Sequence, residues 1–174
     1  MLTRRVRTAS PTASSPVTED GPVTRTTVPV HVRWSDIDGY VHVNNAAMLT
    51  LLEDARIAAF WSHDLPDEGA RSTQVLAAGP GAASVTLVAR QEIEYLAPLL
   101  YSQRPVLVDL WIGRIGGASL DVCYEVNGPQ GVCARAMSSM VMVDAASGNP
   151  RRLTEEERAA LAPLLEEPIT FRRR

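Results

Sequence analysis

Residues 46–61 constrain the fold more than any other stretch of this 174-residue chain. Met48, Leu49, Leu51, Leu52, Ala55, Ile57, Ala58, Ala59 and Phe60 would cover nearly the whole circumference of a helix, and only Glu53, Asp54 and Arg56 interrupt them. A helix apolar on most sides is stable only when it is covered on most sides. With three charges in sixteen positions it falls short of the ~20 apolar residues that span a bilayer. Its cover must come from the rest of the chain, and a sheet wrapped around it is the simplest arrangement.

Strand patterns are plentiful. Val28, Val30 and Val32 alternate before the helix. Four further runs follow it, marked by Val85, Leu87, Ala89, Ile93 and Tyr95, by Val106, Val108, Leu110 and Ile112, by Leu120, Val122, Tyr124 and Val126, and by Val132, Ala134, Ala136, Met140 and Met142. Alternation with period two is the signature of a half-buried strand, and turns are expected at residues 98–105, 113–119 and 128–131. One buried helix followed by an antiparallel meander is an α+β arrangement. Residues 62–82 read as connection, with a short strand near 73–77.

The ends differ from the middle. Residues 1–26 are rich in Ser, Thr, Pro and Arg and lack large apolar groups, so a disordered tail is expected. Residues 27–144 form the domain. Residues 145–174 are a C-terminal extension in which Thr154 and Glu157 stand at capping-box spacing for a short helix.

Composition excludes several functions. A net charge of −3 and a pI near 5.6 give no basis for a nucleic-acid partner, and no apolar run predicts a membrane span. All seventeen basic residues are Arg, which removes Lys as a Schiff-base or general-base residue and fits a GC-rich bacterial coding sequence. No hydrophobic secretory segment is evident, so a cytoplasmic protein is expected. Cys123 and Cys133 lack a C-x-x-C context and read as free buried thiols. His31, His42 and His63 do not stand with Cys at metal-ligand spacing. Neither a nucleophile elbow nor a phosphate-binding loop occurs, and no cofactor or metal is expected.

The chemistry concentrates just before the helix, in Arg33-Trp34-Ser35-Asp36-Ile37-Asp38-Gly39-Tyr40-Val41-His42-Val43-Asn44-Asn45. Asn44 and Asn45 suit an N-cap. A helix start offers unpaired N–H donors and a positive dipole end that can hold a developing oxyanion. Asp38 beside such a start can act as general base or nucleophile. It can equally be a turn residue, since Asp-Gly is itself a turn signal. Asp36 lies on the same side of an extended segment, where pairing with an Arg is the ordinary role.

This run resembles the Asp-x-Asp-x-x-Gly-His-Val-Asn-Asn signature of the hotdog-fold acyl-CoA thioesterases, in the 4-hydroxybenzoyl-CoA thioesterase-like superfamily. Glu53-Asp54-Ala55-Arg56, the segment 90–99 and Gly116-Gly117-Ala118-Ser119 look like other parts of the same family. The resemblance implies a sheet around one long central helix and hydrolysis of an acyl-CoA or related thioester to a free acid. It implies Asp38 as the catalytic carboxylate and a backbone N–H near Asn45 as the polarising donor. Substrate contacts are expected from Tyr40, Val41, His42, Asn44 and Met48, and from Arg114, placed in a turn, on the CoA phosphates. A homodimer or homotetramer is implied, with sheets joined edge to edge and active sites at the junction.

Two alternatives stay open. A hotdog hydratase or dehydratase places four residues between its Asp and His, whereas three separate Asp38 from His42 and five separate Asp36. A non-catalytic acyl-thioester binder is the other. The family carries Gly immediately before the His, and here Val41 takes that place. A β-branched residue is costly where φ is positive, so either the loop bends at Gly39 or the pocket differs.

Overall fold

The computed structural model describes residues 25–61, 73–77 and 81–172. Nearly all of the expected N-terminal tail, and most of the 62–82 connection, lie outside the described residues. Five strands, β1 (Thr26–Val30), β2 (Ser84–Tyr95), β3 (Val106–Ile115), β4 (Ser119–Gly128) and β5 (Gly131–Asp144), form one antiparallel sheet in the order β1-β3-β4-β5-β2. Helix α1 (Asn45–Phe60) packs on its inner face against β1 and β3, and α2 (Glu155–Leu161) follows β5.

The four strands after α1 are not a simple meander. Strands β3, β4 and β5 are consecutive neighbours, but β2 pairs with β5, Ser84 opposite Asp144 and Tyr95 opposite Ala134. The connection 96–105 is too long for a tight hairpin. It crosses the end of the sheet instead, and this crossing later forms one wall of the site.

The core lies between α1 and the concave face. Leu51, Leu52, Ala55, Ala59 and Phe60 meet Val108, Leu110, Val122, Tyr124, Met140 and Met142, all buried. Sixteen residues make α1 ~24 Å long, while β5 has fourteen residues at ~3.3 Å each. The expected long central helix is thus a short one beside the strands it faces. Its C-terminal carbonyls are satisfied by the next described segment: Thr73 Oγ1 donates to Ala59 O at 2.7 Å, Gln74 Nε2 to Ala58 O at 3.0 Å and Leu76 N to Phe60 O at 2.9 Å.

Residues 162–172 return across the convex face. Glu166 N donates to Ile112 O at 3.0 Å, and Trp111 Nε1 donates to Glu167 O at 3.0 Å. Arg25 lies over the Trp111 ring at 3.9 Å and pairs with Glu125 and Glu166. Gly113 was expected in a turn, but β3 continues through it. A Cβ there would stand 2.8 Å from Cys123 Sγ and 2.9 Å from Pro168 Cβ, so a bare backbone lets the returning segment sit down. Both cysteines are free and buried.

Candidate active site

The polar run before α1 folds into a small closed loop. A 3-10 turn spans Trp34–Asp36, Ile37 bridges Val43, and Asp38 N donates to His42 O at 2.9 Å. The Asp36 carboxylate is buried and accepts from Arg33 N at 2.7 Å and from the Arg33 guanidinium at 2.9 Å. The Arg33 side chain and its backbone N–H hold that carboxyl below the usual range. Asp36 therefore shapes the loop, as its pairing with an Arg suggests.

Asp38 has two faces. Its Oδ1 accepts from Tyr40 N at 2.8 Å and from His42 N at 3.3 Å, an Asx-type closure of the turn. Its Oδ2 makes no hydrogen bond among the described residues. Asn44 is the N-cap of α1, its Oδ1 accepting from Ala46 N at 2.8 Å. Asn45 is the first helical residue, and Met48 N is the first to bond back into the helix, to Asn44 O at 2.9 Å. The backbone N–H of Asn45 has no partner among the described residues, as expected at a helix start.

Asp38, His42, Asn45 and Met48 line one cavity of about 400 Å³. Its opposite wall is Tyr95 through Leu99, the end of β2 and the start of the crossing connection. Tyr95 reaches over to donate its hydroxyl to Asn45 O at 3.1 Å, and burial raises its pKa. Val43 N donates to Leu99 O at 2.8 Å and His42 bridges Leu100, so backbone pairing fixes the two walls to each other. Nothing in the sequence signals Tyr95 as a site residue, because its place depends on β2 lying next to β5.

The remaining expected residues are dispersed. Tyr40, 82% exposed, and Val41, 63% exposed, sit on the loop tip outside the cavity lining. Arg114 is in β3 rather than in a turn, and its Nε bonds Asp121 at 2.7 Å. It lies at the far end of β3 from the 96–105 connection, ~27 Å along the strand from Val106. Within one protomer it is therefore not part of the cavity. Glu53 is exposed and turns toward the buried Arg56, which also bonds the Tyr124 hydroxyl at 3.2 Å.

Val41 has φ +66°, the only positive value at a non-glycine among the described residues, while Gly39 keeps an ordinary φ. The bend thus stays at the position before His42. The closures by Asp38 and by the Leu99 and Leu100 pairings hold a β-branched residue in a conformation that costs about 1–3 kcal/mol.

Comparison with known proteins gives a consistent picture. The chain is 27% identical over 134 residues to the Bacillus subtilis protein YsmA, covering 76% of this chain and 82% of that protein. Among solved structures, a predicted thioesterase from Bacillus stearothermophilus is 26% identical with a TM-score of 0.65, over 83% of this chain and 98% of that one. A thioesterase from Thermus thermophilus, complexed with coenzyme A and zinc, is 30% identical with a TM-score of 0.61, over 83% and 97%. The family model for the thioesterase-like superfamily matches residues 32–165, from just after β1 to the segment after α2. With the α+β hotdog arrangement and a carboxylate facing a helix start, the chain belongs to the thioesterase-like superfamily.

Proposed function

We propose that this protein hydrolyses acyl-CoA thioesters to the free acid and CoA, with Asp38 as the attacking or water-activating carboxylate. One observation carries the reading: Asp38 and the N-terminus of α1 open into the same cavity. The thioester carbonyl oxygen meets the Asn45 N–H, where a donor and the helix dipole stabilise the developing oxyanion. In the general-base form, Asp38 takes a proton from water as the hydroxyl adds to the carbonyl carbon. The C–S bond then breaks, the thiolate leaves with that proton, and the carboxylate is restored. In the nucleophilic form Asp38 adds to the carbonyl carbon, the C–S bond breaks and the thiolate leaves, and water then cleaves the mixed anhydride to the free acid and the restored carboxylate. Met48 and His42 border the acyl group. Coenzyme A on the Thermus relative supports CoA as the leaving thiol.

The active form is a dimer joined through β2. That strand is an edge of twelve residues whose outer N–H and C=O groups are unpaired in the sheet, with Val85, Leu87 and Val88 exposed. A long edge whose first half is exposed and apolar is a template for pairing. The other edge, β1, has five residues with Pro29 at its fourth position, and Pro supplies no ladder donor. Because Tyr95 ends β2 and lines the cavity, a partner strand there completes the site.

A panel of acyl-CoA substrates followed by free-thiol release tests the function. Hydrolysis releases thiol, hydration of an enoyl group does not, and a binder changes neither. Absence of thiol release across short, medium and aromatic acyl groups would refute the proposal.

A further inference from the structure

A second cavity, of about 310 Å³, lies between the 96–105 connection and the β4–β5 turn. We infer that it holds the adenosine phosphate end of coenzyme A, which rests on the thioesterase reading for where the thioester lies. Leu99 lines both cavities, so the two adjoin at this residue of the crossing connection. A molecule with its thioester at Asn45 and its arm laid over Leu99 and Leu100 brings its far end into this groove.

The lining suits that end. Leu100 and Leu107 are 54% and 47% exposed, while their neighbours Leu99 and Val106 are buried. With Pro129 opposite, they form an apolar slot for a flat base. Asn127 Nδ2 donates to Asp109 Oδ2 at 2.7 Å, which leaves Asn127 Oδ1 for an exocyclic amine. At the rim stands Arg104, whose guanidinium has no hydrogen bond or ion pair among the described residues; only its backbone N–H is engaged, by Ser102 Oγ at 3.0 Å. A free guanidinium beside an apolar slot matches a base carrying phosphate. An alkyl tail gains nothing from the cation. A carrier-protein thioester has no adenosine and leaves the slot empty, so the groove selects CoA over a carrier protein.

Two measurements on the full chain test this. Calorimetric titration with adenosine 3′,5′-bisphosphate should give saturable binding to the wild type, weakened about tenfold by Arg104→Ala and lost in Leu107→Glu. In turnover, kcat/KM for hexanoyl-CoA relative to hexanoyl-N-acetylcysteamine, which lacks the nucleotide, should fall about tenfold in Arg104→Ala through KM. Circular dichroism melts show whether each variant is folded. No saturable nucleotide binding by the wild type overturns the inference, even in a chain that hydrolyses both thioesters. Equal nucleotide affinity in folded wild type and both variants also overturns it, as does an Arg104→Ala loss of kcat/KM that is the same for hexanoyl-CoA and hexanoyl-N-acetylcysteamine. Lack of thiol release with either substrate refutes the hydrolase reading alone, and the titration still decides the groove.

Discussion

Replacing Asp38 by Asn separates its two duties, because the amide keeps one oxygen and loses the charge. Oδ1 can still accept from Tyr40 N and His42 N, so the turn stays closed. Each bond weakens as its acceptor becomes neutral, and both donors are near solvent, so the cost is about 1 kcal/mol. For a chain of this size that lowers Tm by about 2–4 °C. Turnover is affected far more. Losing a base or carboxylate nucleophile removes about 10²–10⁴-fold in kcat, or about 3–5 kcal/mol of activation free energy. Asp38→Ala loses the same chemistry and both turn bonds, costing about 2 kcal/mol and leaving Val41 unsupported. Free-thiol release gives the rates and thermal melts the stabilities, measured side by side. Asn should be nearly as stable as wild type and nearly as inactive as Ala. Wild-type turnover in Asp38→Asn would refute Asp38 as the base. An Asn variant that melts like Ala would show that charge, rather than acceptor geometry, closes the turn.

Other outcomes follow from the same geometry. Val41→Gly removes backbone strain of about 1–3 kcal/mol but frees the unfolded chain by about 0.5–1 kcal/mol, so a net gain near 1 kcal/mol is expected with hydrolysis retained; a lower Tm would show that the Val41 side chain is held by contacts. Asp36 has a lowered folded pKa because the Arg33 side chain, then its backbone N–H, bonds the carboxylate. Its contribution is therefore complete above the unfolded value of ~3.9 and lost as pH falls through the folded value. Melts between pH 7 and pH 3 should show a steeper loss below about pH 4 in wild type than in Asp36→Asn, and parallel curves would remove Asp36 from the acid response. That variant should also lose much less turnover than Asp38→Asn, and equal losses would mean the base is misassigned. Leu87→Arg on the exposed edge of β2 should convert a dimer to a monomer in light scattering at micromolar concentration, and a wild-type monomer would rule the dimer out.

Much of the fold was legible because it is written in local pattern. The apolar surround of residues 46–61 demanded cover, and period-two alternation located all five strands to within a few residues. The capping pair Thr154 and Glu157 starts α2, with Glu157 N on Thr154 Oγ1 at 3.1 Å and Thr154 N on Glu157 Oε2 at 2.7 Å. Asp38 and Asn45 were marked by the resemblance of residues 33–45 to the thioesterase signature; seven extended residues can span over ~20 Å, and it is the closure of the loop, Ile37 bridging Val43, that sets both on one cavity.

What the sequence could not decide is which distant segments meet. Alternation marks a strand but not its neighbour, so β2 read as the first strand of a meander when it lies beyond β5. That placement alone brings Tyr95 and Leu99 opposite Asp38 and sets Leu99 between two cavities. Arg114, expected in a turn, is instead held by Asp121 on the neighbouring strand, because β3 runs on to Ile115 before it turns into β4. Likewise a Val before His42 carries no sign of its dihedral until the Asp38 closure and the pairing to Leu99 and Leu100 force it positive. Local propensity is a short-range energy and can be read along the chain. The cavity arises from hydrogen bonds between residues some fifty positions apart, which exist only once the sheet has closed around the helix.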